Sequence, residues 1–119
     1  MNAVSDENLL RWNQFWELCA HLITIYPDRP ATIGTDTDAK QVERRLKLLS
    51  QELVPLLVPN EHWLTDTSVG KGNWATIPWV GIFDSRESTS AQQGVYPVIH
   101  LSPETPIGIR IGLGVSATA

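Results

Sequence analysis

Four consecutive residues, Gly70-Lys71-Gly72-Asn73, have the composition of a segment that can come close to an anion. The two glycines leave backbone amides unobstructed by a Cβ, Lys71 supplies a cation, and the Asn73 side chain adds a donor. A plain hairpin turn has the same composition, so both readings stand on these residues alone. The densest basic run is Lys40, Arg44, Arg45 and Lys47. At helical spacing Lys40, Arg44 and Lys47 share one side, which is either a rail for phosphates or a solvated helix face.

Other chemistry lacks its parts. Gly70-Lys71 looks like a fragment of a nucleotide-binding P-loop, but no glycine precedes it at the required spacing, and Gly72 stands where Ser or Thr would hold magnesium. Cys19, His21, His62 and His100 have neither metal-ligand spacing nor the closeness of a nucleophile and its base. A single cysteine cannot form an internal disulfide, and Cys19 reads as a buried core thiol. No catalytic residue, metal or cofactor is therefore expected, and the chain reads as a non-enzymatic module.

The 119 residues have room for one core, and 42% hydrophobic against 18% charged residues is a folded rather than a disordered composition. The net charge of -4 argues against a protein that coats nucleic acid by bulk electrostatics, so any contact with phosphates must be local. No apolar run approaches the roughly 20 residues of a membrane span. The N-terminus lacks the basic start and apolar stretch of a secretory signal, which makes a cytoplasmic location the default.

The elements that must position these groups follow from periodicity. Leu9, Trp12, Trp16, Cys19, Ile23 and Tyr26 recur at three-and-four spacing, predicting a helix over about 6–26 with that stripe buried. Ser5 is placed to cap it, Asp6 and Glu7 suit its positive end, and Pro27 stops it. A loop over 28–37 leads to a second helix over about 38–54. There Val42, Leu46, Leu49 and Leu53 form the stripe, Asp38 with Gln41 makes a loose capping box, and Pro55 marks the end. After Pro59 the pattern changes to short apolar runs punctuated by glycine and proline. Strands are expected at His62 to Ser68, Ile77 to Phe83 and Val95 to Leu101. A fourth, in which Ile107, Ile109, Ile111 and Leu113 alternate with Gly108, Arg110 and Gly112, should bury its apolar face. Ser102 to Pro106 is short enough to join antiparallel neighbours. Helices first and strands second predict an α+β fold: N-terminal helices packed on a mostly antiparallel sheet of about four strands, spanning about 62–115.

Three separated blocks carry a family resemblance: Gly70-Lys71-Gly72-Asn73-Trp74, Ile77-Pro78-Trp79 with Gly81, and Gly94-Val95-Tyr96-Pro97-Val98. Their order and spacing resemble the N-terminal DNA-binding domain of McrB-type methylcytosine-dependent restriction proteins over roughly Trp63 to Ser116. The two helices match only in kind. The resemblance implies a single domain over 1–119, truncated at its C-terminal end, that reads a methylated cytosine in duplex DNA by rotating it into a pocket. It would do so for a motor and nuclease supplied by other domains or subunits.

Within that implication the residues take roles. Extracting a base costs a few kcal/mol, and stacking on an aromatic ring returns about 1 to 3 kcal/mol per base. Period two puts Trp79 and Gly81 on one strand face, and Tyr96, Val98 and His100 on another. If those faces adjoin, Trp79 becomes an aromatic wall, Gly81 the gap that admits the base, Tyr96 a second ring with a hydroxyl, and His100 a bordering group. Gly70, Lys71, Gly72, Asn73, Arg44 and Lys47 are then the DNA contacts. Lys71 has no ring with which to fill the place of an extruded base, so phosphate binding is its expected role. Two alternatives stay open: Trp79 and Tyr96 as ordinary core aromatics, and the tryptophan-rich sheet as a protein-interaction or assembly surface of a restriction complex.

Overall fold

A computed structural model describes residues 6–57, 62–84 and 95–115. Helix α1 (Asp6–Ile25) runs into a short 3-10 turn, Tyr26–Asp28, and helix α2 (Asp38–Leu57) follows. Four strands complete the chain: β1 (Trp63–Gly70), β2 (Trp74–Asp84), β3 (Val95–Ser102) and β4 (Gly108–Val115). They form one antiparallel meander in the order β1-β2-β3-β4, as the α+β reading requires.

The helices cover one face of the sheet. Phe15, Cys19, Leu22 and Tyr26 from the α1 region and Ala39, Val42, Leu46 and Leu53 from α2 pack against Val69, Val80, Ile99 and Leu101. Along α2 the expected stripe is buried, apart from a partly exposed Leu49. Along α1 it is turned by about one position: Phe15 and Leu22 point inward, whereas Leu9 is 53% and Trp16 37% exposed. Phe15 takes the central place, and the Trp12 and Trp16 rings lean on it at 5.8 and 4.9 Å from the edge of the core. An apolar stripe wider than the contact surface leaves its rotation to packing.

Two further expectations are corrected. Thr37, not Asp38, caps α2: its Oγ1 accepts the Lys40 amide at 3.3 Å, and Asp38 sits in the first turn, where the helix dipole favours a carboxylate. Strand β4 does not bury its apolar face. Ile111 is 73% and Leu113 71% exposed, because the helix layer reaches β3 and only brushes β4. Pro55 lies in the last turn of α2, which ends two residues on at Leu57, near the expected end. Ser5 lies outside the described residues.

Candidate nucleic-acid interface

The outer strand β1 is tied to α2 by side chains spaced for it. Four helical residues rise about 6 Å and two strand residues about 6.7 Å, so an i, i+4 ladder on a helix can follow alternate residues of a strand. Here Gln51 Oε1 accepts the Thr65 amide at 2.9 Å, Lys47 lies 3.4 Å from Asp66, and Glu43 Oε2 accepts the Val69 amide at 2.8 Å. Gln51 Nε2 also donates to the Trp63 carbonyl at 3.1 Å, and Ser50 Oγ donates to Thr65 Oγ1 at 3.0 Å. The ladder ends at Lys40, whose Nζ bonds both Glu43 and the Gly70 carbonyl at 3.1 Å.

This seam fixes the Gly70-Lys71-Gly72-Asn73 segment, which is the hairpin connection between β1 and β2, with Gly70 paired to Trp74. Gly70 has φ +112°, and a Cβ there would run into the backbone of Asn73, Trp74 and Ala75. Only glycine fits that position without strain. At Gly72 a Cβ would meet nothing within 4 Å, and Lys71, Gly72 and Asn73 all face solvent. The base of the hairpin is held from inside by Tyr26, whose hydroxyl bonds the Val69 carbonyl at 3.2 Å and also that of Ala75. Burial, with help from the Glu43 carboxylate, raises the Tyr26 pKa above the ordinary phenol value, while Arg29 over its ring at 4.3 Å pulls the other way. The hydroxyl therefore stays protonated and remains a donor at neutral pH.

Between α2 and the β1–β2 hairpin lies a cleft of about 560 Å³. Arg44, Lys47, Lys71 and Trp79 open onto it together with Asp66 and Ser68. Three elements thus bring together four of the residues singled out from the sequence, alongside Gly70. Lys40 lines the same cleft, but its ammonium is held by Glu43 and Gly70. Arg44 is exposed and donates to the Thr35 carbonyl at 2.8 Å. Arg45 faces the other way, toward Leu18 and Gln14 of α1.

The sheet face turned away from the helices carries the remaining candidates. Its cross-strand rows are Ser68, Trp79, His100 and Arg110, then Asp66, Gly81, Val98 and Gly112. Trp79, Gly81, Tyr96 and His100 therefore do share one face, with Trp79 beside His100. The space above Gly81 is occupied by the protein's own rings: a Cβ there would lie 2.8 Å from Phe83 Cζ and 3.1 Å from Trp79 Cζ3. The Tyr96 ring lies 4.7 Å from that of Phe83 and covers Gly114, where a Cβ would approach it to 2.5 Å. Phe83 is 1% and Val98 3% exposed, so a small apolar cluster separates Tyr96 from Trp79. Tyr96 and His100 do not line the cleft onto which Trp79 opens.

Sequence reasoning passed over Asp66, Ser68 and Arg110. Asp66 and Ser68 sit in the strand with the weakest pattern, and only the register reveals Gly81 and Trp79 as their neighbours. Cys19 is fully buried, and burial pushes its thiol up to about 12, leaving no nucleophilic thiolate at neutral pH. Among the described residues no three His, Cys, Asp or Glu side chains are grouped to hold a metal ion, and no helix is long and apolar enough to cross a membrane.

No curated protein and no solved structure matches the chain. A family model described as MrcB-like, N-terminal domain matches residues 31–107. The match is wider at its start than the blocks suggested, taking in α2 and with it every residue that lines the cleft, and it stops short of β4. By this match, over nearly two thirds of its length, the chain belongs to the MrcB-like N-terminal domain family.

Proposed function

We propose that this chain is a DNA-binding reader domain that holds a modified, methylated cytosine turned out of the duplex, acting within a restriction or defence system. The single observation that supports it is the convergence of Arg44, Lys47, Lys71 and Trp79 on one cleft of about 560 Å³ in a protein whose net charge is -4. Cations concentrated at one place on an acidic protein suit a local phosphate contact. An indole at the same place offers the stacking surface that an extruded base needs.

On this reading the hairpin tip, Gly70 to Asn73, meets the DNA backbone with its exposed amides and the Lys71 ammonium. Arg44 and Lys47 flank it from α2. Trp79 is the wall of the base pocket, with Tyr96 and His100 further along the same face and Gly81 giving the Trp79 ring room to lie against the sheet. The domain is a binder without chemistry of its own, working in the cytoplasm alongside motor and nuclease domains or subunits.

The test is titration of short duplexes with and without methylcytosine at two salt concentrations. Salt-sensitive binding with a preference for the methylated duplex is expected. Trp79→Ala should remove the preference, and Lys71→Ala should weaken both duplexes about equally. A folded Trp79→Ala variant that still discriminates refutes the pocket.

A second reading has its own observation. Ile107, Ile109, Ile111 and Leu113 form an exposed apolar strip along β4, which suits a protein-interaction or assembly module of a restriction complex. Absence of any salt-sensitive DNA binding would favour it.

A further inference from the structure

A carboxylate in a cleft meant for a phosphate chain is a cost, since it repels the ligand that the surrounding cations attract. Asp66 is such a carboxylate, and its placement gives it a task. Its cross-strand partner is Gly81. The six-membered ring of Trp79 leans over that same glycine, with Cζ3 3.1 Å from where a Cβ would stand. Asp66 and Trp79 both line the cleft, so the carboxylate flanks the indole on which a base would stack.

The carboxylate is also held. Oδ1 accepts the Thr67 amide at 2.9 Å and faces the Lys47 ammonium at 3.4 Å. Among the described residues no hydrogen bond reaches Oδ2. A carboxylate pinned by one oxygen and open at the other is a fixed, acceptor-only group. It selects a ligand edge that carries N–H and rejects one that carries a carbonyl oxygen.

We infer that Asp66 is the base-reading carboxylate of this cleft, accepting the exocyclic amino group of a cytosine whose ring lies on Trp79, while Lys71, Arg44 and Lys47 take the neighbouring phosphates. The inference rests on the reader proposal and sharpens it, because it places the base on the α2 side of Trp79 rather than between Trp79 and Tyr96. Methylcytosine and thymine carry the same ring methyl and differ at the edge Asp66 would read: an amino group in one, a carbonyl oxygen in the other.

The experiment uses the 119-residue chain and labelled duplexes identical except for methylcytosine or thymine at one central position. The wild type should prefer methylcytosine by about tenfold or more, the range of a good base-edge contact. Asp66→Asn should bring the two within about twofold, chiefly by tightening binding to thymine, since a charge that repels its carbonyl oxygen and the phosphates is gone. Asp66→Glu keeps the charge but moves the oxygens by one methylene, so it should lose preference without that gain in affinity. Thermal melting of each variant checks that it is folded, and the conservative Glu variant carries the test if the Asn variant is not. A folded Asp66→Asn or Asp66→Glu protein with wild-type preference overturns the inference, as does a wild type that binds both duplexes equally, and either result leaves DNA binding itself standing. A wild type with no salt-sensitive binding to any duplex removes the reader proposal, and this inference with it.

Discussion

The two outer strands of the sheet meet their surroundings in opposite ways. Along β1, side chains from α2 answer the backbone groups that a neighbouring strand would have taken: Gln51 at Thr65 and Trp63, Glu43 at Val69, Lys40 at Gly70. Along β4 the helix layer stops short, and Ile111 and Leu113 stand out in solvent with Gly112 between them. Three strand spacings of about 4.8 Å separate the outer strands, a width that two helices of about 10 Å each could cover if centred. They are not centred, because α2 packs chiefly on β1 and reaches to its outer edge. A strand edge can thus be closed by polar side chains set at the right helical interval, and the same shift that closes one edge leaves the other bare. The guarded edge is also where the cleft lies, so the ladder that protects β1 serves as a rigid mount for the hairpin tip and for Asp66.

This contrast can be broken at graded points. The largest effect should come at the top of β1, where Gly70→Ala forces a Cβ into backbone at a φ that L-residues avoid; a loss on the order of 3 kcal/mol in denaturant unfolding is expected. A loss below about 0.5 kcal/mol would mean that the tip is not held as rigidly as the seam implies. Next, Glu43→Ala strands the Val69 amide and frees Lys40, which should cost about 2 kcal/mol, and Gln51→Ala about 1 kcal/mol. Hydrogen exchange should then quicken at Val69 in the first variant and at Thr65 in the second; equal protection in both would show that the side chains do not guard the edge. The smallest effect belongs to β4, where Ile111→Thr should change stability by less than about 0.5 kcal/mol. A strongly destabilised variant would mean that the β4 face is covered after all.

Much of the architecture is legible in the sequence, for reasons tied to particular residues. The start of both helices and the end of α1 followed from apolar spacing and from Pro27, and the meander from glycine and proline punctuation with the short Ser102 to Pro106 connection. The shared side of Lys40, Arg44 and Lys47 was a consequence of helical geometry and needed no neighbours to be correct. The α1 stripe was harder, because Leu10, Leu18 and Leu22 widen the apolar face beyond Leu9, Trp12, Phe15, Trp16 and Cys19, so that periodicity alone selects no single inward direction. Alternation in β4 reported a two-sided strand correctly but could not say whether anything covers the apolar side.

What the chain determined by itself was local: which segments coil, which extend, where the backbone needs glycine, and which side chains fall on a common face. These depend on neighbours a few residues away, through steric limits and periodicity. Tertiary structure decided the rest. It set Asp66 beside Gly81 and Trp79, gave the ring space over Gly81 to Phe83 and Trp79, and aligned Glu43 and Gln51 with an edge more than ten residues distant. Strand register and the offset of the helix layer fix those contacts, and both are settled by the packing of the whole core rather than by any one stretch of sequence.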